Sequence, residues 1–246
     1  MTNRDKQKIT AMREGGHKLY LIREKLRQFV RPGISGTDIE TEAVKLIGES
    51  GAQAAFKLVP NYHHATCINI NDVVVHGIPT RQKIKDGDLV CIDLGLYYKG
   101  FYTDTTLMTV AGKPTPQLDR FVSVGEQALN AGITQAKVGN KISDISQAVQ
   151  TVIETNGYEV VRELTGHGVG KELHEDPLIP NFIDRHNDSV LYEGQTIAIE
   201  PMYAAGSAKI YLHNDGWTIS TIDRSLSGLI EETVAITKKG PQILTK

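Results

Sequence analysis

Several features that would direct a protein out of the cytosol are missing from this sequence. It has only two cysteines, Cys67 and Cys91, and no CxxC pair, so we expect free thiols in a reducing compartment. The opening segment, MTNRDKQKIT, is polar, whereas a signal peptide needs an apolar stretch there. Apolar runs are only a few residues long, and a membrane span takes roughly 20. We therefore expect a cytoplasmic protein with no membrane segment.

An excess of charge of one sign is also lacking. The 27 Lys and Arg residues nearly balance the 29 Asp and Glu residues, which gives a net charge of −2, and the basic residues are scattered. Sequence-specific nucleic-acid binding usually needs a basic patch or stripe, so we do not expect it. Apolar residues make up 40% of the chain and charged residues 23%, which is typical of a globular protein with a substantial core.

Helix signals occur in two pairs along the chain. Thr37-x-x-Glu40 has the pattern of a capping box, and Thr115-Pro116 places an N-cap residue before a proline at the first helical position. Apolar spacing and terminal Gly or Pro residues mark the other ends. The predicted helices cover residues 8–30, 37–51, 115–136 and 143–157.

Stretches rich in β-branched and aliphatic residues follow each helix pair. Turns are predicted at Lys99-Gly100 and Asp215-Gly216. The predicted strands cover residues 67–71, 73–78, 89–98, 101–110, 196–203, 208–213, 217–221 and 229–237. Two helices followed by strands, twice over, indicate an α+β architecture.

The repeated order corresponds to an internal sequence repeat. Residues 31–51 align without gaps with residues 137–157 at an offset of 106, and residues 86–93 align with residues 193–200 at an offset of 107. Two capped amphipathic helices can resemble each other without common origin, but a nearly constant offset in both helix and strand favours duplication. We predict a single domain, 1–246, with halves of about 1–112 and 113–246.

The repeat places acidic residues in related positions. Asp93 aligns with Glu200, each at the end of an apolar strand, and the following strands carry Asp104 and Glu231. Four close carboxylates repel one another unless a cation lies between them. His167, between glycines that allow close backbone approach, adds an imidazole. Carboxylates with one or two imidazoles suit Mn, Fe, Co or Zn, so a metal site is predicted.

Other polar residues have simpler interpretations. Any one Asp in a strand is usually an edge residue or a satisfied core residue, so the metal prediction depends on the joint arrangement. Glu232 lies on the opposite strand face from Glu231, and we expect it to be solvated. GHGVG matches neither GxGxxG nor a Walker A loop. His76, after an apolar strand, is a further site candidate. His63 and His64 lie in an irregular polar segment, and three other histidines lack companions, so all five are interpreted as structural or surface residues: His17, His63, His64, His186 and His213.

Five motifs together resemble the type I methionine aminopeptidases: VVVHGIP, CIDLG with FYTDTTLM, GHGVGKELHEDP, IEPM and the late EET. The resemblance runs from the first helix to the last strand. It implies a pita-bread fold, in which two pseudo-symmetric αβ halves surround a curved, mainly antiparallel sheet. It also implies a dinuclear site, in which Asp93 and Glu200 each hold one metal, Asp104 and Glu231 bridge, and His167 binds the second metal.

The resemblance further implies removal of N-terminal Met from peptides and nascent chains near the ribosome, preferably before a small second residue. Two divalent ions (Co, Mn, Fe(II) or Zn) would activate a water. Glu200 would act as acid and base, and His76 and His174 would contact the substrate. The implied methionine pocket consists of Tyr62, Cys67, Leu173 and Trp217. A monomer is expected.

Two alternatives remain open from the sequence. One is a proline-directed enzyme on the same fold, a Xaa-Pro aminopeptidase or prolidase, although these normally carry an extra N-terminal domain. The other is a binding module that kept the fold without catalysis, although such proteins usually lose ligands. The chain also departs from the family pattern. Leu229 and Ile230 precede Glu231 where the family usually has Gln-x-Glu-His-Thr, and the loop 58–67 differs as well.

Overall fold

The computed structural model describes residues 1–184 and 188–246. His186 therefore lies outside the described residues, together with its predicted surface role. The four helices are α1 (Asn3–Phe29), α2 (Gly36–Ser50), α3 (Pro116–Gln135) and α4 (Ile142–Thr155). The first strands are β1 (Gln53–Ala54), β2 (Thr66–Ile70), β3 (Val73–Val75), β4 (Leu89–Tyr98), β5 (Phe101–Val110), β6 (Glu159–Val160), β7 (Thr165–Gly168) and β8 (Glu175–Pro180). The later strands are β9 (Thr196–Ile199), β10 (Met202–Ala204), β11 (Ile210–Leu212), β12 (Ile219–Thr221), β13 (Ser227–Leu229), β14 (Glu231–Thr237) and β15 (Gly240–Ile243).

The predicted helices are all present, and one predicted cap is wrong. Helix α3 starts as expected, with Thr115 as its N-cap. Helix α2 instead begins two residues earlier than predicted, because the Ser35 side chain caps it and Asp38 returns a hydrogen bond to the Ser35 backbone. Thr37 lies inside the helix. Glu40 accepts hydrogen bonds from the Thr66 backbone and hydroxyl, which ties α2 to β2.

Two long predicted strands are each broken at a residue near the predicted metal site. The run 196–203 divides at Glu200 into β9 and β10, because Pro201 has no N–H for a sheet ladder. The run 229–237 corresponds to β14 except at its start, where Ile230 interrupts the pairing and Leu229 is the last residue of β13. The run 73–78 ends at Val75, because His76 has a left-handed backbone with φ of 57°. Strands β1, β6, β7, β8 and β15 were not predicted, and most of them are short.

A nine-stranded antiparallel sheet forms the centre of the molecule. Its order is β1-β4-β5-β14-β9-β7-β8, with β2 also paired to β4 and β15 to β14. Two three-stranded sheets, β13-β10-β6 and β11-β12-β3, lie beside it. The helices pack on the large sheet, with α1 against β4 and β5 and α3 beside α4. The α+β prediction is confirmed. None of the four helices described combines the length and apolar character needed to span a membrane.

The two parts of the chain share matching backbone contacts. The Gly33 N–H donates to the Ile84 carbonyl, and the Gly139 N–H donates to the Leu191 carbonyl, at the offsets of 106 and 107 found in the sequence. One apolar cluster is built only from residues that precede position 112. A duplicated half-domain would produce this pattern. The division of the chain near residue 112 stays a prediction.

Candidate metal centre

Five adjacent strands of the large sheet each supply one polar residue to the same region. In sheet order, β4, β5 and β14 carry three carboxylates, β9 leads directly into a fourth, and β7 carries an imidazole. These residues are Asp93, Asp104, Glu231, Glu200 and His167. The sheet order therefore explains how residues distant in sequence come together.

The distances between these groups are short. Ligand atoms of Asp104, His167 and Glu231 all lie within 4.8 Å of one another, and the three residues are buried. The His167 Nε2 lies 3.5 Å from Glu200 Oε1. Asp93 and Asp104 lie on the paired strands β4 and β5, and both line the same cavity as the other three residues. The five residues predicted from sequence thus form one cluster.

Burial and mutual repulsion make this cluster hard to ionise without a counterion. The pKa values of Asp93, Glu200 and Glu231 are raised well above the usual carboxyl range, first by burial and then by neighbouring carboxylates. Burial raises the pKa of Asp104 to about 7. Asp93 Oδ1 and Glu231 Oε1 are buried and have no hydrogen-bond partner among residues 1–184 and 188–246. Unpartnered carboxylate oxygens facing an imidazole are a donor set suited to divalent metal ions.

His167 is oriented as a metal-binding histidine would be. Its Nδ1 lies 2.8 Å from the Gly168 carbonyl, so Nδ1 carries the proton and Nε2 faces the carboxylates with its lone pair. Burial, and secondarily the nearby His174, lower its pKa to about 4. At neutral pH the imidazole is uncharged, which is the form that binds metals.

The glycines on either side of His167 are required by close backbone packing. A Cβ at Gly166 would lie 2.5 Å from the Ala198 carbonyl oxygen, and one at Gly168 would lie 2.3 Å from the Asp176 carbonyl oxygen. Backbone atoms cannot move aside as a flexible side chain can. The two glycines let β7 fit between β8 and β9, with His167 directed at the carboxylates.

Threonines that the sequence analysis did not single out support the carboxylates. Thr106 Oγ1 donates to Glu231 Oε2 over 3.1 Å. Thr233 Oγ1 donates to the Asp104 carbonyl over 2.8 Å and accepts from the Asp104 N–H over 2.9 Å. The Thr105 N–H donates to Asp104 Oδ1 over 3.0 Å. The only sequence signal was that threonines flank the acidic residues in TDTT and EET.

A cavity of about 280 Å³ ends on the carboxylate cluster. Its walls are largely apolar and include all four predicted pocket residues together with two that were not predicted: Tyr62, Cys67, Leu173, Trp217, Phe56 and Val59. The Tyr62 hydroxyl donates to the Thr66 carbonyl over 2.8 Å, so its ring is fixed. Burial raises the pKa of the Cys67 thiol, which therefore stays protonated. The cavity can accept an apolar side chain next to the cluster.

His76 and His174 line the same cavity. The His174 ring lies 4.4 Å from the His167 ring, and the His76 ring lies 6.5 Å from the Trp217 ring, both centre to centre. Burial lowers the pKa of both cavity histidines, and His174 lowers that of His76 further. Both are therefore neutral at pH 7, and each has an N–H to donate.

The prediction that Glu232 is solvated is wrong. Glu232 does point away from Glu231, but its side chain is only 14% exposed and pairs with Arg23 at 2.7 Å. The Thr245 hydroxyl also donates to it. The prediction failed because the partner helix, α1, covers that face of the sheet. His64 also has a neighbour, since its ring lies 5.7 Å from the Tyr62 ring.

The chain matches known peptidases along nearly its whole length. Residues 10–238 match the model of metallopeptidase family M24. A methionine aminopeptidase of Clostridium perfringens is 38% identical over 242 residues, which covers 98% of this chain and 97% of that protein. Methionine aminopeptidase 1 of Bacillus subtilis is 37% identical over 240 residues, with the same coverage.

Solved structures give the same result. The crystal structure of a methionine aminopeptidase from Thermotoga maritima superposes with a TM-score of 0.95 at 36% identity, covering 100% of this chain and 98% of that chain. A prolidase from Pyrococcus furiosus gives a TM-score of 0.80 at 26% identity and covers 98% of this chain but 64% of the prolidase. The matches confirm the family resemblance, the pita-bread fold and the prediction of a metal-dependent aminopeptidase, which is a hydrolase.

Proposed function

This chain belongs to metallopeptidase family M24, and we propose that it removes the N-terminal methionine of peptides and nascent proteins, preferably before a small second residue. The observation that carries the proposal is an apolar cavity whose floor is the cluster of four carboxylates and His167. A methionine side chain in the cavity would bring the first peptide bond to the cluster. Relatives of nearly equal length are named for this activity.

The same cluster supports a proposal of two divalent ions, drawn from Co, Mn, Fe(II) or Zn. Asp93 and Glu200 would each hold one ion, Asp104 and Glu231 would bridge, and His167 would complete the second site. When bound, the ions supply Lewis acidity toward the carbonyl and a water of lowered pKa.

Protein groups would carry the proton and stabilise the developing charge. Glu200 would take a proton from the water that attacks the peptide carbonyl and deliver it to the leaving amine, a role open to a carboxylate that lines the cavity beside His167. His174 and His76 donate hydrogen bonds from their neutral rings to the carbonyl oxygen and the leaving nitrogen. Leu173 lines the cavity and offers an apolar surface to the methionine side chain.

Substitution of single ligands tests the proposal. Asp93→Ala and Glu231→Ala should abolish metal-dependent cleavage of Met-Ala-Ser while the circular dichroism spectrum is retained. Asp119→Ala, the same kind of change at an exposed site on α3, is the matched control and should leave turnover unchanged. Unchanged turnover in either ligand variant would refute the site assignment.

A peptide panel separates the specificity alternatives. Met-Ala-Ser should be cleaved faster than Met-Leu-Ser, and Ala-Pro-Ser should not be cleaved. Preferential cleavage of Ala-Pro-Ser would favour a proline-directed peptidase. Failure to bind any of the four metals, with no cleavage of any peptide, would favour the binding-module alternative.

A further inference from the structure

The carboxylate cluster spans a narrow junction in the large sheet. The backbone pairing of strands β5 and β14 consists of two residue pairs, Thr106 with Glu231 and Thr105 with Glu232, and the Thr233 side chain adds hydrogen bonds to the Asp104 backbone. The first pair faces the cluster, where the Thr106 hydroxyl donates to the Glu231 carboxylate. The second pair faces the opposite side, because neighbouring residues on a strand alternate between faces.

Arg23 of α1 binds the second pair on the face of the sheet opposite the carboxylate cluster. Its Nη1 donates to the Thr105 hydroxyl over 2.7 Å and to Glu232 Oε1 over 2.7 Å. One guanidinium nitrogen thus links both strands at the junction. The side chain of Arg23 is 9% exposed and that of Glu232 is 14% exposed, so little water competes for these bonds. Charge-assisted hydrogen bonds of this kind are stronger and geometrically more specific than neutral ones.

Arg23 contacts Thr105 and Glu232, which are the sequence neighbours of the predicted metal ligands Asp104 and Glu231. Since Arg23 donates to the Thr105 oxygen, the Thr105 hydroxyl hydrogen is directed elsewhere, and it donates to the Glu231 carbonyl over 2.8 Å. The Thr105 N–H donates to Asp104 Oδ1. Thr105 therefore contacts both carboxylate residues, on β5 and β14, and Arg23 fixes the position of Thr105.

Glu232 completes the arrangement. A buried guanidinium without a counter-charge would be costly; Glu232 supplies that charge at Nη1, and the more exposed Glu24 pairs with Nε at 3.3 Å. The Thr245 hydroxyl donates to Glu232 and accepts the Thr233 N–H over 3.1 Å, so the C-terminal segment holds the carboxylate in place.

We propose that Arg23, held by Glu232, is a positioning residue that sets the relative placement of Asp104 and Glu231 across the β5–β14 junction. The inference rests on the proposed metal site. Groups that orient metal ligands typically change metal affinity 10- to 100-fold when removed. Arg23 should therefore affect metal binding more than its distance from the metal site would indicate.

The test measures Co(II) binding to metal-free protein by calorimetry, together with the visible d–d absorption of the Co(II) form. Arg23→Met should raise the dissociation constant for Co(II) about tenfold or more, alter the absorption bands and lower kcat more than it raises KM. It should also lower the melting temperature, because Glu232 is left buried and unpaired.

A double variant separates positioning from stability. Arg23→Met with Glu232→Leu replaces the ion pair by apolar side chains, which often restores stability. The melting temperature should recover while Co(II) affinity and the d–d bands remain altered. If Arg23→Met alone fails to fold, the double variant still decides the question.

Two control variants test whether loss of an ion pair or loss of stability is enough to change Co(II) binding. Arg162→Met breaks an exposed ion pair with Glu154 and should leave Co(II) binding unchanged. Val149→Ala, at a fully buried position of α4, should lower the melting temperature without changing the d–d bands.

Wild-type-like affinity and spectra in Arg23→Met would overturn the proposal, as would recovery of affinity together with stability in the double variant. A wild-type protein that binds no Co(II) would instead refute the proposed metal site itself.

Discussion

In the metal-free protein, the Asp104 carboxylate should destabilise the fold at neutral and alkaline pH. Only 4% of the residue is exposed, and burial raises its pKa from 3.8 to about 7. The substitution Asp104→Asn removes the charge but keeps an oxygen that can accept the Thr105 N–H. We therefore expect Asp104→Asn to be more stable than the wild type when no metal is present, and to lose activity.

The size of the effect follows from the pKa change. A carboxyl group with a raised pKa in the folded state contributes its full stability below pH 3.8 and loses it as the pH rises through about 7. At about 1.4 kcal/mol for each pKa unit, the loss at pH 8 is at most about 4 kcal/mol. At pH 5 it is less than half of that. In a chain of this size, 4 kcal/mol corresponds to a melting temperature difference of up to about 10 °C.

Thermal melting in excess chelator at pH 5 and pH 8 measures this difference. Removing the Asp104 charge also lowers the pKa values of Asp93, Glu200 and Glu231, so the difference between variant and wild type measures the Asp104 charge together with its repulsion of those three carboxylates. Glu126→Gln, at an exposed position in the middle of α3, should melt like the wild type at both pH values. With saturating Mn(II) the order should reverse, because the wild type binds metal more tightly. The reasoning would be refuted if the melting-temperature difference between Asp104→Asn and the wild type were the same at pH 5 and pH 8. It would also be refuted if the metal-free wild type were more stable than Asp104→Asn at pH 8.

Three further substitutions test the site. Gly168→Ala should lower the melting temperature by about 5 °C or more, because its Cβ would lie 2.3 Å from the Asp176 carbonyl oxygen. Gly170→Ala should have little effect, because its Cβ would contact only the movable end of a side chain. Equal melting temperatures of the two variants would contradict this account. Leu173→Ala should lower kcat/KM for Met-Ala-Ser about tenfold, mainly through KM, and an unchanged KM in steady-state kinetics would remove Leu173 from the pocket. His76→Ala should lower kcat about 100-fold while Co(II) affinity by calorimetry is retained, and a parallel loss of affinity would make His76 a ligand instead.

Local signals in the sequence predicted much of the fold. Helix α3 was placed from Thr115-Pro116, because a cap is a contact between neighbours in the chain. The Lys99-Gly100 turn and its two strands were predicted for the same reason. The Ser35 cap was missed because the competing Thr37 pattern is equally good locally, and only packing of the helix start distinguishes them.

The sequence alone predicted five residues that could hold a metal, and their role as ligands stays a prediction. Asp93, Asp104, Glu200 and Glu231 were found because a repeat puts costly charges at matching strand positions, and His167 was found by its glycine setting. Their closeness in space agrees with that reasoning.

Only the tertiary structure decided what surrounds those residues. The pairing of Arg23 with Glu232 joins residues 209 positions apart, and no local pattern marks either one as a partner. Phe56 and Val59 line the cavity because they pack beside Tyr62, Cys67 and Leu173 in the folded chain. The break at Ile230 separates two segments that pair in different sheets. Charge and hydrophobic periodicity are properties of the sequence. Which faces of the helices and strands pack against one another depends on the three-dimensional arrangement of the sheet.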